Sequence, residues 1–178
     1  VCSSDLANAA SQDAVRAGLQ RTQSITDVAL AAGDSVTSAL EEMKSLAVNI
    51  ASSTGSAQTA YLADYNALGL EVASAISGAT FDGVNSLTAL GSNAAITAVN
   101  TGSVTAANAT AANVDAAISA TTSALATLGT QSKSLGRQIT FVNKLQDSME
   151  AGVGNLVDAD LAKESARLTA LQTKQQLG

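Results

Sequence analysis

An all-α fold, with long antiparallel coiled-coil helices forming a rod and a small β-hairpin or turn, is predicted by three observations. Apolar residues recur at alternating spacings of four and three over two long stretches, as in a helix that buries one stripe against a partner. The chain has no proline, the strongest helix breaker. Its apolar fraction of 46% includes 37 alanines, while aromatic residues supply only 2%. Small side chains suit thin, closely packed helices better than a thick globular core.

The first helix is expected from about Ser11 to Ser53. Its seam runs through Ile25, Ala29, Ala32, Val36, Ala39, Met43, Leu46 and Ile50, with Asp27, Asp34, Glu41, Glu42 and Lys44 between. Gly55 is the expected stop and Ser56 the expected cap of a second helix over 57–77. That helix carries Tyr61, Tyr65, Leu68, Val72 and Ile76 on one stripe. Phe81-Asp82-Gly83 follows, and an Asp-Gly pair after an aromatic residue predicts a turn leading into a small hairpin. The stretch 85–112, rich in Ser, Thr, Asn and Ala, reads either as short strands or as a loosely ordered loop.

A long return helix is expected to start near Asn113, with Asp115 in its first turn favoured by the helix dipole. Its seam is Val114, Ile118, Thr121, Leu125, Leu128, Ser132, Leu135, Ile139 and Val142. Neither seam can be buried alone in water, so the two long helices should fold back on one another. The residues expected to pack the rod are Ile25, Val36, Met43, Leu46 and Ile50 against Leu125, Leu128, Leu135, Ile139 and Val142. Gly152 and Gly154 are expected to interrupt the return helix near residue 155. A further amphipathic segment over 156–178 runs through Leu161, Leu168 and Leu171, and its unfinished stripe suggests that the natural chain continues.

The first six residues, Val1 to Leu6, read like translated adapter DNA fused to the coding frame, so 7–84 is taken as the first rod segment. Cys2 has no partner for a disulfide within the chain.

Composition also excludes functions. Without histidine the chain lacks the commonest acid-base catalyst and zinc ligand. A net charge of −6, with no Lys or Arg between Lys44 and Lys133, argues against binding nucleic acid or an anionic membrane surface. No run of 18 apolar residues suggests membrane insertion, and no segment reads as a cleaved signal peptide. Glu41 and Glu42 are adjacent on a helix and point about 100° apart, which suits a solvated face rather than an acid-base pair. Asp158 and Asp160 read as acids at a helix start. Gly152-Val153-Gly154 lacks the third glycine and the lysine of a phosphate-binding loop. No catalytic residues, metal ligands or cofactor are therefore expected.

Several segments resemble bacterial flagellin, especially its alphaproteobacterial forms. Ser24 to Gly33 and Leu40 to Ala47 are similar to the first long helix of that family, and Phe81-Asp82-Gly83 to its Phe-Asn-Gly element. Phe141 to Glu150, and above all Val157-Asp158-Ala159-Asp160-Leu161-Ala162-Lys163-Glu164-Ser165, resemble its carboxy-terminal region. Asp158, Asp160, Leu161 and Glu164 carry that last motif.

The resemblance implies an extracellular, self-assembling subunit of the flagellar filament. Such chains are exported unfolded with the help of a secretion chaperone, without a cleaved signal peptide, and polymerise under a filament cap. Within the same superfamily a hook-filament junction protein is the alternative, and outside it a secreted helical stalk. The resemblance also implies that the chain is truncated at both ends, that 85–112 faces outward, and that 156–178 begins the filament-core helix. Where flagellins sensed by an innate immune receptor of animals carry Gln-Arg-x-Arg-Glu-Leu-Ala, this chain has Glu41-Glu42-Met43-Lys44-Ser45-Leu46-Ala47. The reversed charge at Glu42 predicts weak or no recognition.

Overall fold

The computed structural model describes residues 2–177; Val1, Gly178 and the side chain of Cys2 lie outside the described residues, and with them any role of the lone thiol. In chain order the elements are α1 (Cys2–Ser52), α2 (Gly55–Gly78), β1 (Thr80–Phe81), β2 (Val84–Asn85), α3 (Thr88–Gly91), α4 (Ala94–Thr97) and α5 (Ala111–Gln176). Helix dominates, as the seams predict. The fold divides into two compact units, one formed by residues 21–135 and the other by residues up to 20 together with those from 136 onward.

In the 21–135 unit, α1 and α5 run antiparallel. Lys44 pairs with Asp115 at 2.7 Å, Gly33 abuts Leu125, and the Ser132 hydroxyl donates to Asp27 at 3.4 Å, so one number falls as the other climbs. The core joins both helices to α2 and to the segment that follows it. α1 buries more than its predicted seam: Leu40 and Ala47 are as deeply covered as Val36 and Met43. A helix facing one partner needs one stripe, and a second stripe beside it indicates burial against two neighbours.

The turn between α1 and α2 differs in detail from the expected one. Thr54, not Ser56, is the cap residue of α2, and its side chain makes no capping bond. Gly55 adopts φ +65°, a conformation that favours glycine. Gln58 then reaches back and donates to the carbonyls of Ile50 and Ser53, closing the end of α1.

β1 and β2 pair antiparallel, with Thr80 opposite Asn85 and Phe81 opposite Val84. Asp82 (φ 52°) and Gly83 (φ 76°) both lie in the left-handed region, as a type I′ turn demands. Residues 85–112 form neither further strands nor a loose loop. They make the single-turn helices α3 and α4, which bury Leu90 and Ile96, with Leu87 just before α3 and Val99 just after α4 buried beside them. Asn66 on α2 fixes the return of this segment: its side-chain amide donates to the Val104 carbonyl at 3.0 Å and accepts from the Val104 N–H at 2.8 Å. Gly69 lets the backbone pass close by, since a Cβ there would sit 2.6 Å from the Val99 carbonyl oxygen.

The other unit pairs residues 2–20 with the continuation of α5. Gln146 donates to the carboxylate of Asp13, and Asp5 and Asn8 share a cavity of about 180 Å³ with Met149 and Val153, again an antiparallel order. Two boundaries move. α1 begins at Cys2 rather than Ser11, because nothing between them breaks a helix and alanine favours one. α5 begins at Ala111, where the Thr110 hydroxyl accepts from the Asn113 N–H; Asn113 is therefore inside the helix and not its cap. α5 also runs unbroken through Gly152 and Gly154. Each glycine costs only about 1 kcal/mol in a helix interior, too little to stop propagation through good helix formers on both sides.

Candidate functional site

The titratable groups singled out in the sequence can be placed among the described residues. No group of three or more His, Cys, Asp or Glu side chains there is arranged to hold a metal ion, and no helix is long and apolar enough to cross a membrane. Glu41, Glu42, Asp158 and Asp160 are all exposed. Among the described residues Tyr65 is the buried titratable group: loss of water around its hydroxyl pushes its pKa up to about 12. That hydroxyl has no hydrogen-bond partner among the described residues.

What the sequence arranges instead are packing seams and exposed helix faces. Of the residues expected to pack the rod, Ile25, Val36, Met43, Ile50, Leu128 and Val142 are buried. Leu46, Leu125, Leu135 and Ile139 are half-buried. Phe81, Asp82 and Gly83 stand exposed at the hairpin, where the Arg21 guanidinium pairs with the Asp82 carboxylate and ties the turn to α1. With Lys44 on Asp115, two of the three basic residues of the 21–135 unit are held by internal pairs.

The carboxy-terminal motif lies on a fully exposed stretch of α5: Asp158, Asp160, Leu161 and Glu164 all face solvent. Leu161, Leu168 and Leu171 form an exposed apolar stripe there at helical spacing. A second exposed feature was absent from the expectations. Phe141, on the side of α5 away from buried Val142, is 65% exposed. Three further positions also escaped the sequence reading. Gly69 could have been found, because it completes the buried α2 stripe of Tyr65, Val72 and Ile76 at helical spacing. Asn66 and Gly102 had no local signal, since both act on residues more than 30 positions away.

Residues 111–178 match the family model described as the bacterial flagellin C-terminal helical region. Among curated proteins the chain is 43% identical to flagellin FljK and 46% identical to flagellin FljN, both of Caulobacter vibrioides, over 97% of its own length and 72% of theirs. These alignments run over 198 positions against the 178 residues of this chain, which is therefore the shorter within the matched stretch. A shorter match of 62% identity to flagellin A of Rhizobium meliloti covers 32% of this chain and 14% of that protein.

Proposed function

The chain belongs to the bacterial flagellin family, and from that premise we propose how its two helical units serve a flagellar filament. It is a structural subunit that polymerises with other flagellin subunits into the extracellular filament used for motility. The family is structural rather than enzymatic. The observation that carries this reading is the match to named flagellins along nearly the whole chain. Mass spectrometry of filaments sheared from the cells should find peptides of this chain, and filaments that lack it while the protein stays inside the cell would refute the assignment.

Within that role, the seam residues Ile25, Val36, Met43, Leu46, Ile50, Leu125, Leu128, Leu135, Ile139 and Val142 hold the helix pair together. The exposed stripe of Leu161, Leu168 and Leu171 supports reading 156–178 as the filament-core helix. The exposed Ser and Thr side chains of 85–112 support an outward position for that segment, although its apolar residues turn into the core.

The subunit leaves the cell through the flagellar export apparatus with a secretion chaperone, without a cleaved signal peptide, and adds under a filament cap. Mass spectrometry of filament protein should find the encoded amino terminus apart from removal of the initiator Met. Loss of a leader of 15 residues or more would contradict this.

Recognition by the animal innate immune receptor is weak or absent. In the turn Glu41 to Ala47, Met43 and Ala47 are buried while Glu41 and Glu42 are exposed, and Lys44 is held by Asp115. The accessible charge is therefore negative where sensed flagellins present arginine. A reporter-cell response to the full-length natural protein at ordinary agonist doses would overturn this.

A further inference from the structure

Phe141 is one of four aromatic residues in the chain, yet it lies on the outermost side of α5. Arg137 precedes it by four residues and Lys144 follows it by three, so all three share one exposed face, with the ring between two cations. Neither cation forms an ion pair among the described residues, and no acidic residue lies between Asp115 and Asp147.

α2 presents a reciprocal face. Opposite its buried stripe, Ala63, Ala67, Leu70 and Ser74 are exposed, and Asp64 and Glu71 line one edge. α2 contains no basic residue, and neither carboxylate is ion-paired among the described residues. Leu70 is held in place because it leans over Gly102, where a Cβ would lie 2.6 Å from its side chain.

We propose that the Arg137–Phe141–Lys144 face of one copy docks on the α2 face of another copy. The charges register: Arg137 and Lys144 are seven residues apart, as are Asp64 and Glu71, a span of about 10.5 Å on each helix. With the two helices running in the same direction, Arg137 meets Asp64 and Lys144 meets Glu71. The Phe141 ring then sits level with residue 68, over the gap between Ala67 and Leu70, and is withdrawn from water. The two patches differ, so the contact is heterologous and leaves a free patch at each end, the property an open polymer needs. The proposal rests on the reading of the chain as a self-assembling subunit and specifies one of its contacts.

The test is seeded elongation of the full-length natural protein. Reversing the cations (Arg137→Glu with Lys144→Glu), or the acids (Asp64→Lys with Glu71→Lys), should slow elongation about tenfold or more, because like charges then face each other. Combining all four changes should restore most of the rate. Filaments grown from a mixture of Phe141→Cys copies and Ala67→Cys copies should yield disulfide-linked pairs on oxidation. Either reversal elongating at the unmodified rate, no rescue in the combined variant, or no linked pairs would each overturn the interface while leaving the subunit reading intact. Failure of the unmodified protein to extend seeds would overturn that reading and the interface with it.

Discussion

Replacing Gly69 with alanine should destabilise the 21–135 unit, although the same change in an ordinary helix interior stabilises by about 1 kcal/mol. The new Cβ would sit 2.6 Å from the Val99 carbonyl oxygen and 3.3 Å from the Asn100 Cα, while ordinary contact begins at 3.4 Å. Both neighbours are backbone and cannot rotate away. Val99 is itself fully buried, and the chain beyond it is fixed by the double hydrogen bond between Asn66 and Val104. Overpacking of this kind costs about 1–3 kcal/mol, which offsets the propensity gain and leaves a net loss of up to about 2 kcal/mol. Gly129→Ala is the control, because a Cβ there meets nothing within 4 Å. Thermal unfolding followed by circular dichroism should show Gly69→Ala lowering Tm by about 2–8 °C and Gly129→Ala raising it by about 1–4 °C. An equal rise in both variants would refute the close approach of α2 to the 99–100 backbone.

Other substitutions test the core from different directions. Leu128→Asp should cost about 3–5 kcal/mol by burying an unpaired carboxylate, whereas Leu46→Asp, at a half-buried position, should cost clearly less; equal losses in chemical denaturation would mean that the seam is misplaced. Tyr65→Phe should stabilise by about 1 kcal/mol, because it removes a buried hydroxyl that has no partner. Tyr65 also has a pH signature: its folded pKa is raised to about 12 from 10, so the stabilisation of the folded state is complete below pH 10 and falls as pH rises through 12. Tyr65→Phe should flatten that alkaline loss in an unfolding series from pH 9 to 12, and an unchanged slope would count against the burial. Asn66→Ala leaves the Val104 N–H and carbonyl without their partner, so hydrogen exchange at Val104 should accelerate at least about fivefold, while exchange at Leu40 stays as slow as before or accelerates less.

The long helices were legible because their stability comes from a repeated pattern. Ile25, Val36, Met43 and Ile50, then Val114, Leu128 and Val142, announce their burial at fixed spacing along the chain. Asp82-Gly83 was equally readable, since few residue pairs tolerate two left-handed conformations in succession. Leu40 and Ala47 were hidden by composition: in an alanine-rich helix the boundary between a seam and its flank is blurred. The stretch 85–112 is illegible in the sequence for a different reason. α3 and α4 are too short to show a period, and they persist because Leu87, Leu90, Ile96 and Val99 reach the core. Asn66 pairs with a residue 38 positions away, and no local pattern encodes such a contact. Gly152 and Gly154 are the opposite case: glycine is only a weak breaker, and good helix formers on both sides carry α5 through them.

Among the candidate sites, the exposed carboxy-terminal motif was found from its likeness to a family, while the exposed Phe141 face needed the fold. The seam already turns Val142 inward, but only the fold shows that no other element covers the ring of Phe141 beside it.

Whether this chain is a subunit built to be stacked can be decided by electron microscopy of the purified full-length natural protein incubated with short filament seeds. A stacking subunit should extend the seeds into long, regular filaments with depletion of the soluble protein. Seeds of unchanged length, with the protein remaining monomeric in solution, would contradict it.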